Sequence, residues 1–134
     1  METADALAFL STNHRTVLTT RKRGGGLQMS PMSAGVVGGA VVLSTRAMLA
    51  KVHNIRRNPD VSLLVFTEQF FGSWIQIDGT AEIVDQPDAL PLLDEVYRSI
   101  AGEHPDWPDY RTAMIRDRRV VIRIRPEHAA GQLR

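Results

Sequence analysis

A chain of 134 residues, 43% hydrophobic and 23% charged, fits a single domain that buries about two thirds of its unfolded surface. A formal charge of +1 excludes a global electrostatic pull toward nucleic acid or membrane, so any anion site must be local. The lack of cysteine excludes disulfides, thiolate nucleophiles and zinc–thiolate centres. With no basic-then-apolar start and no bilayer-length apolar run, a cytoplasmic location is expected.

"TADALAFLSTNH" predicts a short helix, with Ala6, Phe9 and Leu10 at helical spacing and the polar Ser11-Thr12-Asn13 ending it. "RTVLTTRKRGGGLQMSPMS" reads as two strands around Gly24-Gly25-Gly26, and "AGVVGGAVVLST" as a second pair around Gly38-Gly39. A helix is predicted from Arg46 to Arg57, packed on the sheet through Met48, Val52 and Ile55 and ended by Asn58-Pro59. "VSLLVFTE" and "FGSWIQIDGTAEIVD" are strands. In the second, Trp74, Gln76 and Asp78 face opposite to Ile75 and Ile77. "QPDALPLLDEVYRSIAG" predicts a longer helix with Leu92, Leu93, Val96, Tyr97 and Ile100 as its apolar stripe, followed by a proline-punctuated turn and a short helical segment. "RRVVIRIRP" closes the chain as a strand whose Val120, Ile122 and Ile124 face away from Arg123 and Arg125. About six strands, mostly antiparallel, with three helices at the periphery make a mainly β protein, a small barrel in one domain spanning residues 1–134.

Catalytic constellations are sparse. There is no HExxH, nucleophile elbow, P-loop or dinucleotide fingerprint, and the four histidines are scattered, so no metal site and no catalytic side chain is assigned. Asp94 and Glu95 point to different helical faces and are expected to be solvated. An enzyme with this inventory would leave the reaction to a bound cofactor.

The basic segment Arg46–Arg57 has two readings, a solvated face or an anion site. Three features favour the anion: Ser44 and Thr45 at the predicted helix start, Arg46 and Lys51 bracketing its first turn and a half, and Asn54 beside Lys51 at the border of the buried stripe. Arg56 and Arg57 are expected to balance Asp60 and other acids. In "LQMSPMS", Gln28 and Ser30 share one strand face, an amide and a hydroxyl suited to the edge of a planar heterocycle or to ordinary strand polarity. Trp74 is either core or a stacking surface. Nucleic-acid binding through Arg56 and Arg57 lacks the accompanying basic and aromatic surface.

Taken in order, "HRTVLTT", "LQMSPM", "VVLST", "LAKVHNIRRNPDVSLLVF" and "WIQIDGTAEIV" resemble the pyridoxamine-5'-phosphate-oxidase-like split β-barrel flavoproteins over residues 9 to 125. "YRSIAGEHPDWPDYRTAMIRDRRVVIRI" is similar to the ending of the small oxidoreductases that use the deazaflavin coenzyme F-420. The resemblance implies a homodimer with cofactor sites at the subunit interface and hydride transfer to an electron-poor organic substrate. It implies that Lys51 holds the cofactor phosphate, helped by Ser44, Thr45, the Ala50 backbone and Arg46, with Asn54 nearby. Gln28 and Ser30 would border the ring, and Trp74 of a second subunit would cover it. Such relatives often carry arginine where this chain has Leu49. FMN on the same fold, or a carrier that holds F-420 without turnover, are the alternatives.

Overall fold

The computed structural model describes residues 1–134. In chain order the elements are α1 (Thr3–Leu10), β1 (Arg15–Arg21), β2 (Leu27–Ser33), β3 (Gly35–Val37), β4 (Ala40–Arg46), α2 (Ala50–Arg57), β5 (Asp60–Phe66), β6 (Trp74–Val84), α3 (Ala89–Ala101), α4 (Trp107–Arg116) and β7 (Arg119–Gln132). The seven strands form one sheet in the order β2-β1-β5-β6-β7-β4-β3, antiparallel at every pairing, and the sheet curls into a half-barrel. The split-barrel class expected from the sequence is the class observed.

Seven strands stand against the expected total of about six, and the strand pair expected around Gly38-Gly39 is present, Gly35–Val37 opposite Ala40–Val42. Four helices are present where the expected total was three, and the fourth is the short helix expected after the proline-punctuated turn. Trp107–Arg116 is a full helix, started by Asp106, whose carboxylate accepts the Asp109 amide at 3.1 Å. The turn between β3 and β4 is Gly38-Gly39, with φ of 58° and 76°, the positive values that a two-residue hairpin loop needs.

Strand alternation builds three distinct surfaces. Toward the inside of the curl, Leu18, Leu43, Leu63, Val65, Ile75, Ile77, Ile122 and Ile124 pack with Ala6 and Leu10 of α1 and Ile55 of α2. Behind β4 and β7, Val42 and Val121 pack under Ala89, Leu93 and Val96 of α3. The outward face of β1, β5 and β6 has no helix over it. There Val17, Leu64, Phe66, Phe70 and Trp74 line an apolar hollow of 430 Å³.

One charge sits differently from expectation. Asp94 is only 8% exposed and accepts the Arg111 guanidinium at 2.8 and 3.1 Å, because α4 folds back against α3 and brings Arg111 to it. Helical spacing along α3 alone gave no sign of that partner.

Candidate cofactor site

The predicted helix from Arg46 is corrected at its beginning. Residues through Arg46 belong to β4, and α2 starts only at Ala50. β4 pairs with β7 through Ser44↔Val121, Thr45↔Val120 and Arg46↔Arg119, so Ser44 and Thr45 are strand residues and not helix caps. Thr45 is buried in the barrel interior, and Met48, expected on the buried stripe, is exposed. Sheet pairing outweighs the helical propensity of the Arg46-Ala47-Met48 run.

The corrected start of α2 is still suited to an anion. Leu49 occupies the N-cap with no side-chain cap, and no acidic residue lies in the first turn. The first amides, those of Ala50 and Lys51, therefore point outward without an intrahelical acceptor. Lys51 emerges from this turn half-buried and without any salt bridge or hydrogen bond. Burial, and then the nearby charge of Arg119, hold its ammonium below the ordinary lysine range. Arg46 is likewise free of ion pairs, and its Cα stands opposite that of Arg119 in the ladder.

Arg119 was not singled out from the sequence. It opens β7, its Nη1 reaches the Ser44 carbonyl oxygen at 3.5 Å, and its Nε is buried with no partner. Its neighbourhood with Lys51 exists only through the β4–β7 pairing, more than sixty residues apart in sequence, so no local motif could have pointed to it.

At the other end of α2 the basic residues are structural. Arg56 pairs with Asp85 at 2.7 Å, where Asp60 had been expected to contribute. Arg57 donates to the Asn54 Oδ1 at 2.9 Å and to the Arg21 carbonyl at 3.2 Å. Both also sit at the negative end of the helix dipole.

Asn54 and Gln28 are brought together by Thr20, a residue that sequence reasoning missed. The buried Asn54 donates from Nδ2 to the Thr20 hydroxyl at 3.1 Å, and that hydroxyl donates to Gln28 Oε1 at 3.1 Å. The relay fastens α2 to β1 and β2 and turns the Gln28 amide nitrogen outward as a free donor. Ser30 follows on the same face of β2, and its hydroxyl oxygen is buried with no hydrogen-bond partner. A buried hydroxyl without a partner costs free energy unless something meets it. Trp74 is not part of this group within one chain. It lies on the uncovered outward face, opposite Phe66 of β5 and Gln132 of β7, and is 38% exposed.

Residues 3–132 match the pyridoxamine 5'-phosphate oxidase family. The chain belongs to that family. Among solved structures, this family member is similar to a conserved hypothetical protein from Mycobacterium tuberculosis, with a TM-score of 0.78 and 26% identity over 98% of this chain and 84% of that one. It also resembles an F420 reductase, with a TM-score of 0.70 and 22% identity over 92% and 94% of the two chains. An FAD-binding protein from Mesorhizobium loti gives a TM-score of 0.69 and 17% identity over 98% and 94%. No helix of the oxidase-family chain is long and apolar enough to cross a membrane, and no cluster of three or more potential metal ligands is present.

The site fits a phosphorylated planar ring in two respects. The cations at the start of α2 have no protein anion, and the partnerless Ser30 hydroxyl beside the free Gln28 amide offers polar contacts to a ring edge.

Proposed function

We propose that this protein is an oxidoreductase that binds coenzyme F-420 as a homodimer and reduces an electron-poor organic substrate. The observation that carries the reading is Lys51: a half-buried ammonium with no counter-charge, at an uncapped helix start whose amides face the same way. A phosphate there would relieve both the buried charge and the unfilled amides. Family membership and the neighbouring F420 reductase support the choice of cofactor class.

When bound, a reduced deazaflavin supplies a hydride. The chain's own contribution is to bind, orient and exclude water. Lys51, the Ala50 amide and Arg46 would hold the phosphate, and Gln28 and Ser30 would fix the ring edge. Asn54, engaged by Thr20 and Arg57, would act by keeping α2 in place rather than by direct contact. Thr45 faces the interior and would serve the strand, while Ser44 presents its carbonyl to Arg119. The uncovered apolar face with Trp74 and Leu64 supports self-association, and Trp74 of a second copy would cover the ring.

FMN is the second reading, since it shares the phosphate tail and an FAD-binding protein lies among the neighbours. Titrating the purified protein with each cofactor under equilibrium dialysis separates them. F-420 is expected to bind the more tightly, and FMN binding with no F-420 binding would overturn the choice. Turnover of reduced F-420 with a panel of enones and quinones then distinguishes an enzyme from a carrier.

A further inference from the structure

We propose that Arg119 is a further cation of the phosphate site, supplied from the start of β7 beside Lys51 and Arg46. This inference rests on the reading of Lys51 as the phosphate anchor and adds a residue to it.

Three observations support the assignment. Arg119 has no carboxylate within ion-pair distance, although eight arginine or histidine partners elsewhere in the chain do pair with one within 4.0 Å. Its side chain's only hydrogen bond is the long one to the Ser44 carbonyl, and its Nε is buried without a partner. Its charge also acts on Lys51, lowering that ammonium's affinity for a proton beyond what burial alone does.

The surroundings do not neutralise these cations. Asp117, which feels both Arg46 and Arg119, is already committed to Arg116 at 3.1 Å, and that hydrogen bond is the main reason its carboxyl is held low. Tyr110 of α4 also feels Arg119, but its hydroxyl donates to the Leu93 carbonyl at 2.8 Å and stays protonated. Arg46, Lys51 and Arg119 are therefore neighbours, and none of the three forms an ion pair with a carboxylate. Keeping three like charges together opposes folding, and a dianionic phosphate would turn that repulsion into attraction. Arginine also suits the position, since its planar fork binds phosphate through two parallel N–H donors, while Lys51 acts as a point charge.

The sequence makes the test clean, because Lys22 and Lys51 are the only lysines. With lysine labelled at Cε, NMR follows Lys51 directly, and Lys22 in the exposed β1–β2 loop is the internal reference. In Arg119→Gln, the Lys51 titration is expected to move up toward 10.5, with Lys22 unmoved, and inorganic phosphate to bind about tenfold more weakly. Arg119→Lys should recover most of both effects. An Arg119→Gln protein with unchanged Lys51 titration and unchanged phosphate affinity would overturn the proposal, leaving Arg119 as a strand-end residue only.

A second measurement needs no variant. Phosphate added to the unaltered chain should shift both the Lys51 Cε and the Arg119 Nε resonances, and a shift of Lys51 alone would equally overturn it. Failure of the underlying reading looks different: Lys51→Ala would then leave phosphate and F-420 binding unchanged.

Discussion

Two helical regions cover the same sheet and treat charge in opposite ways. Over β3, β4 and β7, the α3–α4 pair has its acidic and basic groups joined: Asp94 with Arg111, Arg98 with Glu95 and Glu103, and Arg116 with Asp117. Tyr97, His104, Trp107 and Tyr110 pack in edge-to-face and tilted pairs at ring separations of 4.8 to 5.8 Å, with the Arg98 guanidinium 4.5 Å over the Trp107 ring. Burial, reinforced by the nearby Asp94, pushes the Tyr110 hydroxyl up to about 12. Around the start of α2, by contrast, Arg46, Lys51 and Arg119 form no ion pair, and Asp117, the one carboxylate that feels Arg46 and Arg119, is bonded to Arg116. The α3–α4 pair joins each of its buried or half-buried charges to an opposite one. What sets Lys51 and Arg119 apart is burial without a partner, an ammonium and a guanidinium Nε that no protein group meets.

The largest expected effect lies on the scaffold side. Leu93 is fully buried between α3 and the sheet, so Leu93→Ala should cost about 2–5 kcal/mol in chemical denaturation. Phosphate binding by the folded fraction should not change. A coupled loss of both would mean that the two regions are not independent.

Lys51→Ala should give the reverse pattern. Binding of F-420 should weaken by about 1.5–3 kcal/mol in a titration, the worth of a charged hydrogen bond to phosphate. The melting temperature should hold or rise, because a like charge beside Arg119 is removed. A large loss of stability would place Lys51 with the scaffold.

Thr20→Val tests the relay that joins the two roles. It keeps the shape of a fully buried residue but removes the hydroxyl between Asn54 and Gln28, at a cost of about 1–2 kcal/mol in stability. Ring-edge binding should fall with it, since Gln28 loses its anchor. Intact stability would show that the relay is dispensable.

The smallest effect concerns Asp78 on the outward face. The Ser62 hydroxyl at 2.6 Å holds its carboxyl below the usual range. Gln76 at 3.0 Å and His128 act in the same direction, and burial opposes them. A carboxyl depressed in the folded state adds stability above its unfolded pKa, and that stability is lost as pH falls through the folded value. With the side chain 43% exposed, screening leaves well under about 1 kcal/mol. Denaturation followed from pH 6 down to pH 2 should show this loss below about pH 4, and Asp78→Asn should flatten it.

Most of the fold could be read from local pattern. The glycine turns, the alternation of β6 and the stripe of α3 are short-range signals, and each produced the expected element. The errors arose where long-range pairing decides. Arg46-Ala47-Met48 reads as helix until β7 claims Ser44, Thr45 and Arg46 as strand, and β7 itself continues past Pro126 to Gln132 because β6 pairs with it there, skipping only Glu127 at a register shift. Of the site, Lys51, Gln28 and Ser30 were visible as residue types in a suitable order. Thr20 and Arg119 were not, since their significance comes from contacts across the sheet.

The length of β7 has a geometric consequence. Arg119 stands at its first position, and Gln132, at its last, lies beside Trp74. Thirteen steps separate them, about 40 Å of strand contour at roughly 3.3 Å each. Within one chain, Arg119 and the Trp74 indole therefore belong to opposite ends of the longest strand in the sheet. In the homodimer proposed above, a two-fold arrangement would let each copy lend its distant end to the other.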